Sequence, residues 1–367
     1  MKKFLVFILI ILIIILGGLL GYKYLPSIGN NDETVDTATN DAGTNNVVAT
    51  EPEPEPVKEV QTFKGNDRPI AVMIDNHDDA RPQTSLNQAY IVYEIIVEGG
   101  YTRLMPIYKG VDISKIGPVR SARPYFIDYA LENDAIYVHF GWSPQAKSDI
   151  STYKVDDING IFYSSSDFSR DSGKYAPHDV VTSTSKILAL AKKLKYTTTS
   201  DDTGVLQYST DEITLDDGIA ADKEISIPFS TLENVTWKYD SDKKIYVKYA
   251  NGKKQTDWIT KEDITTKNII ITYASNYTLP NGGKDRQGLN NVGKLDGYYI
   301  TDGKAIKITC EKKSRTAKTI YKDLNGNEIT VNDGNTYVGI CENKITIKGT
   351  TPATTTTDTN TVNNVVQ

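Results

Sequence analysis

The sequence predicts an α+β protein: one transmembrane helix, then an N-terminal α/β layered domain, then a mainly antiparallel β domain. Three observations predict it. Lys2 and Lys3 precede an apolar run from Phe4 to Leu20 that contains no charged residue. Between about Asn66 and Lys195, strand-like runs alternate with helical segments, the pattern of a layered α/β unit. After Lys195, short β-branched and Tyr-rich runs are separated by Asp, Asn and Gly, and no helical pattern recurs.

The apolar run sets the compartment. It reaches the ~17 residues at the short end of membrane-spanning helices and exceeds the ~7–15 of a signal-peptide core, so residues 1–24 read as a retained anchor. A cleaved secretory signal is the alternative. The basic flank stays inside, which puts the chain after Tyr24 outside the cytoplasm of a single-pass cell-membrane protein. Residues 25–64 are rich in Asn, Asp, Thr and Glu and contain Glu51-Pro52-Glu53-Pro54-Glu55-Pro56, the composition of a disordered, extended linker. The Thr- and Asn-rich tail, 349–367, reads as disordered.

In the α/β domain, 65–200, strands are expected from Pro69 to Ile74, Tyr90 to Glu98, Leu104 to Tyr108 and Ala135 to Phe140. The second and third are joined as a hairpin through Gly99-Gly100. Helices are expected from Pro124 to Asn133, Pro144 to Tyr153 and Ser183 to Lys195; the first two open on Pro, and Ser143 and Ser183 are good N-cap types. The β domain, 201–348, carries about eight strand-like runs from Ile225 to Cys341, with Asn251-Gly252, Asp302-Gly303 and Asn325-Gly326 as tight turns.

A net charge of −6 and a pI near 5.3 give no support to a nucleic-acid partner. Cys310 and Cys341 are too few for a disulfide framework; one bridge and two buried free thiols both remain open. The sequence has no Gly-x-Ser-x-Gly elbow, Walker loop, dinucleotide fingerprint or His-Glu-x-x-His motif, so neither cofactor nor metal is expected. Asp75-Asn76-His77-Asp78-Asp79 lacks the glycine of an EF-hand and reads as a polar turn.

The candidate site is an Arg/Glu/His cleft in the α/β domain. Glu94 and Glu98 fall on one face of a strand by period-two alternation, ~13 Å apart at ~3.3 Å per residue. That exceeds the ~5–9.5 Å of a glycosidase pair. A salt bridge from Glu98 to Arg103 across the hairpin is the structural alternative. Arg120, Ser121 and Arg123 stand just before a helix start, where guanidinium forks and helix N–H groups suit an anion. Alternatively, Arg120 and Arg123 pair with Glu94, Glu98 or Asp128 to hold the domain. His139, followed by Ser143, ends a strand, and His178 lies on a loop downstream of Arg170; either histidine is a candidate acid or base.

These segments resemble the YerB-like family of bacterial membrane-attached lipoproteins, a two-domain family of unestablished biochemical function. The resemblance rests on Ile74-Asp75-Asn76 with Ala80-Arg81-Pro82-Gln83, Tyr93-Glu94 through Glu98-Gly99-Gly100 and Arg103, and Gly117-Pro118-Val119-Arg120-Ser121-Ala122-Arg123. His139, Ala176-Pro177-His178 and, in the β domain, Lys322-Asp323-Leu324-Asn325-Gly326-Asn327 extend it. It implies an extracytoplasmic, membrane-attached protein with an α/β domain followed by a β domain, and no reaction; Asn76 is counted among the candidate ligand-binding residues. The lipobox Cys of the family is absent, and Cys310 stands where the family often has Trp.

Two functions follow as expectations. One is binding of an anionic cell-wall or envelope component by Arg103, Arg120, Arg123 and Arg170, with a protein partner for the β domain. The other is a metal-independent hydrolase or transferase with His139 or His178 as base and Glu94 or Glu98 as acid. A scaffold whose charges only specify the fold is the third reading.

Overall fold

The β3–β4 hairpin at the centre of the protein is built from Ile91–Ile96 (β3), apolar at every position but Glu94, and its partner Thr102–Tyr108 (β4). These coordinates are a computed structural model that describes residues 59–60, 65–280 and 283–350. The predicted anchor, all of the predicted linker but Glu59 and Val60, and the tail beyond Thr350 lie outside the described residues. Among the described residues, no helix is long and apolar enough to cross a membrane.

Around the hairpin, Ile70–Val72 (β1) pairs antiparallel with β4 and parallel with Ile136–His139 (β5), which pairs parallel with Asp157–Asn159 (β6). Ile74–Asp75 (β2) continues beside β4, with Asp75 opposite Arg103. Three helices flank these strands: Pro124–Glu132 (α1), Pro144–Thr152 (α2) and Thr184–Lys193 (α3). Pro at the first helical position of α1 and α2 supplies a pre-set φ where no N–H is needed. Ser143 and Ser183 cap α2 and α3 by accepting from Ala146 N and Lys186 N, each at 3.3 Å. Ser143 is therefore a buried helix cap and not a ligand group. Ser143→Ala is expected to cost about 0.5–2 kcal/mol of stability, read by urea denaturation, and to leave anion binding unchanged.

The expected β-rich second region is present, but no break in the sheet separates it from the first. Thr336–Cys341 runs parallel to β3 on one side and to Asn268–Tyr273 on the other. Gly293–Thr301 and Lys304–Lys312 extend this sheet as an antiparallel hairpin. Among the described residues the sheet reaches twelve strands. A second sheet contains Glu224–Pro228, Asn234–Asp240 and Ile245–Ala250. It packs on the first through Trp237, whose ring lies 4.9 Å from that of Tyr337. The tight turns form as expected, with positive φ at Asn251-Gly252 and Asp302-Gly303.

Charged side chains also join the two regions. Glu94 meets Lys248, and Glu132 meets Lys312, each pair at 2.6 Å and buried. Arg315 reaches Asp128 and Asp149, and Arg81 reaches Glu233.

Cys310 and Cys341 are both free and buried. Burial pushes both thiols up to about 12, so the thiolate fraction at pH 8 is on the order of 10⁻⁴. The expected result is no reaction of the folded protein with a thiol reagent at pH 8 and rapid reaction of two thiols once it is unfolded; fast labelling of the folded chain contradicts this burial.

Candidate functional site

The β3–β4 turn fixes one wall of a cleft. β3 ends at Ile96, and Glu98–Gly100 form a single tight turn in which Gly99 and Gly100 take φ of 69° and 79°, a conformation that favours glycine. The expected strand from Tyr90 to Glu98 is therefore shorter. Glu98 leaves the face that Glu94 occupies, and the hairpin register sets Ile95, not Glu98, opposite Arg103. The segment Gly117–Arg123 crosses beside this turn, tied to the sheet by Asp75 N donating to Pro118 O and Arg120 N donating to Met73 O. It delivers Arg120 and Arg123. The loop before Val180–Val181 brings His178, its N–H held by Tyr175 O at 2.8 Å. From the second region, the hairpin of Asn276–Thr278 and Gln287–Leu289 brings Lys284 and Arg286.

The resulting cleft has a volume of about 340 Å³. Arg103, Arg120, Arg123, Lys284 and Arg286 line it against the carboxylates Asp75 and Glu98, together with His77, Tyr101 and His178. Arg123 grips Glu98 with a two-pronged bond, Nε to Oε1 at 2.6 Å and Nη2 to Oε2 at 2.8 Å. Burial raises the Glu98 carboxyl, but the Arg123 bond and charge outweigh it and hold the group below the usual carboxylate range. Arg103 is buried; its Nη1 donates to Ser121 O at 2.5 Å, while its Nε has no hydrogen-bond partner. Burial, followed by repulsion from Arg123, pushes the Arg103 guanidinium down to about 10 against the attraction of Asp75 and Glu98, so it stays cationic at neutral pH. Arg120 Nε lies 2.9 Å from Asp75 Oδ2 but lacks hydrogen-bond alignment. His178 Nδ1 is 2.7 Å from the same oxygen.

The expected site is thus assembled in part. Glu98, Arg103, Arg120, Arg123 and His178 meet in the cleft. Glu94 does not. It is fully buried and satisfied by Lys248, Thr102, Asn76 and Tyr337, which removes it as an acid. Asn76 is the hub of that network: its amide donates to Glu94 and Thr102 and its oxygen accepts from Arg81 and Gln83. His139 is also buried, with Nδ1 2.8 Å from Gly141 O and Nε2 3.1 Å from Asp157 Oδ2, so neither ring nitrogen is available as a base. Ser121 Oγ donates to Phe140 O, and the residue acts on the cleft only by holding Arg103 through its carbonyl. Arg170 pairs with Asp179 and lies over the Phe140 ring, outside the cleft. No residue of α1 lines the cleft, so the arginines, and not the helix N-terminus, present its charge.

The expectation missed Asp75, His77, Tyr101, Lys284 and Arg286. Asp75 and His77 lay in the segment read as a polar turn, and Lys284 and Arg286 flank Asp285 in a basic, Gly-rich turn far along the chain. Among the described residues, His77, Asp79 and His178 bring side-chain ligand atoms within 4.8 Å of one another. The His77 and His178 rings are stacked 4.7 Å apart with planes 18° from parallel.

Residues 56–197 match the N-terminal domain, and residues 225–338 the C-terminal domain, described as "Protein of unknown function (DUF3048)". The chain is 31% identical over 271 residues to "Putative lipoprotein YerB" of Bacillus subtilis (strain 168), covering 73% of this chain and 76% of that protein. The fold is similar to the crystal structure of YerB protein from Bacillus subtilis, with a TM-score of 0.68 at 27% identity over 77% of this chain and 94% of that one. Both domains in order, and one solved fold spanning them, show that the chain belongs to the YerB-like DUF3048 family of two-domain proteins.

Proposed function

We propose that this is a membrane-attached envelope protein whose cleft binds an anionic envelope component. The observation that carries the reading is the charge of the cleft. Five cationic side chains face two carboxylates there, in a chain whose net charge is −6. Arg103, Arg120 and Arg123 all line the cleft, and guanidinium groups bind phosphate or carboxylate oxygens through charge-assisted hydrogen bonds. The ion pairs outside the cleft are satisfied internally and account for the scaffold role without using these groups.

Membrane attachment is supported by the description of the Bacillus subtilis relative as a lipoprotein. In this chain Cys310 and Cys341 are buried in the fold, so neither is placed to carry a lipid. The apolar run from Phe4 to Leu20 with its Lys2-Lys3 flank supports a single-pass anchor instead, with the folded part outside the cytoplasm. The second region supplies Lys284 and Arg286, which gives it a part in the cleft.

Isothermal titration of the purified protein with inorganic phosphate and with pyrophosphate tests the reading. Saturable binding that weakens as salt rises is expected. Arg120→Ala should raise Kd by about 10–100-fold, the weight of a charge-assisted bond. A flat titration with both ions up to millimolar concentration sinks the proposal.

A further inference from the structure

We infer that the cleft hydrolyses phosphate monoesters, with His178 as the general base. The inference rests on the anion-binding reading and adds chemistry to it. Asp75 is itself fixed: its N–H donates to Pro118 O, and its Oδ1 accepts from His77 N at 3.2 Å. Its Oδ2, 2.7 Å from His178 Nδ1, accepts that N–H and so places the lone pair on Nε2. Among the described residues Nε2 makes no hydrogen bond, and the ring lines the cleft. Stacking on His77 and the backbone bond to Tyr175 O hold the imidazole in place. An oriented imidazole with an open lone pair beside guanidinium groups is the arrangement that activates water next to an anion.

The charge selects the anion. Arg103, Arg120 and Arg123 line the cleft, and Lys284 and Arg286 reach it from the second region, so the dianion of a phosphate monoester meets more complementary charge here than a monoanionic carboxylate or phosphodiester does. Its three terminal oxygens also take more guanidinium donors than a carboxylate does. Tyr101 and His77, with ring centroids 4.4 Å apart, offer the alcohol portion an aromatic edge. In the step, His178 Nε2 takes a proton from water as the water oxygen bonds to phosphorus. The ester P–O bond breaks, the leaving alkoxide is protonated from solvent, and the imidazolium returns its proton to solvent. One water is consumed, and phosphate and an alcohol are released.

The test uses p-nitrophenyl phosphate, hexose 1-phosphate and hexose 6-phosphate with the purified full chain, measuring released phosphate, and titrates inorganic phosphate in parallel. Turnover of at least one ester is expected. His178→Gln should lower kcat by about 10²–10⁴-fold while phosphate affinity stays within about threefold. Asp75→Asn, which acts through His178, should lower kcat more than it changes KM. Phosphate binding without turnover of any ester overturns this inference and leaves the binding reading intact, as does His178→Gln turning over at the wild-type rate. No binding and no turnover overturns both.

Discussion

Replacing Lys248 with methionine is expected to destabilise the folded chain by about 3–5 kcal/mol, because the change leaves Glu94 buried without its counter-charge. Glu94 lies in β3 opposite Gly339 and Leu104, inside the central sheet, and is fully buried. Lys248 comes from the second sheet, and its ammonium also stands 5.4 Å from the Tyr337 ring centroid and 5.8 Å from that of Trp237. Three neutral donors, on Asn76, Thr102 and Tyr337, remain on the carboxylate after the substitution, but none carries charge. Urea denaturation measures the effect. Glu94→Gln combined with Lys248→Met should recover most of the loss, since a neutral amide no longer needs a buried cation. A loss under about 1 kcal/mol in the single variant means the pair is solvated in the folded protein, against the burial seen here.

That pair also shows where the sequence stopped being informative. The longer strands and the three helices between Ile70 and Lys193 are legible because each apolar period, Pro start and Ser cap acts locally; the short strands Asp157–Asn159, Ser169–Arg170 and Val180–Val181 carry no such signal. The division into an α/β and a β region was legible from the change in texture near Lys195. The continuity of the sheet was not, since the parallel pairing of Thr336–Cys341 with β3 joins segments that share no local signal. Period-two alternation puts Glu94 and Glu98 on one face, but the strand ends at Ile96 and the turn over Glu98–Gly100 takes Glu98 off it. His139 stands at a strand end, where α/β folds place ligands, yet it is buried and both its ring nitrogens are engaged. Arg103, Arg120, Arg123 and His178 were legible as a group, because arginines cluster near one turn and near one helix start. Lys284 and Arg286 arrive by tertiary structure alone.

Glu98→Gln is expected to tighten phosphate binding by about tenfold while lowering stability, and Arg123→Ala to weaken binding by about a hundredfold. In the native cleft both prongs of Arg123 are committed to Glu98, so this carboxylate competes with any incoming anion. A neutral amide accepts less strongly, releases Nη2 and raises the positive charge of the cleft. The stability sign is opposite. Glu98 has a folded-state pKa held below its ordinary value, so it contributes stability above the unfolded pKa that is lost as pH falls through the folded one. The amide forfeits that contribution at neutral pH. Arg123→Ala removes a cation and also leaves Glu98 facing the ligand unpaired, so its loss exceeds that of one bond. Titration calorimetry and urea denaturation on the same samples separate the two accounts of the cluster. If these charges served only to hold the fold, both variants would lose stability and neither would move a phosphate affinity. A gain in affinity paired with a loss in stability for Glu98→Gln requires a cleft whose arginines are partly withheld from their ligand.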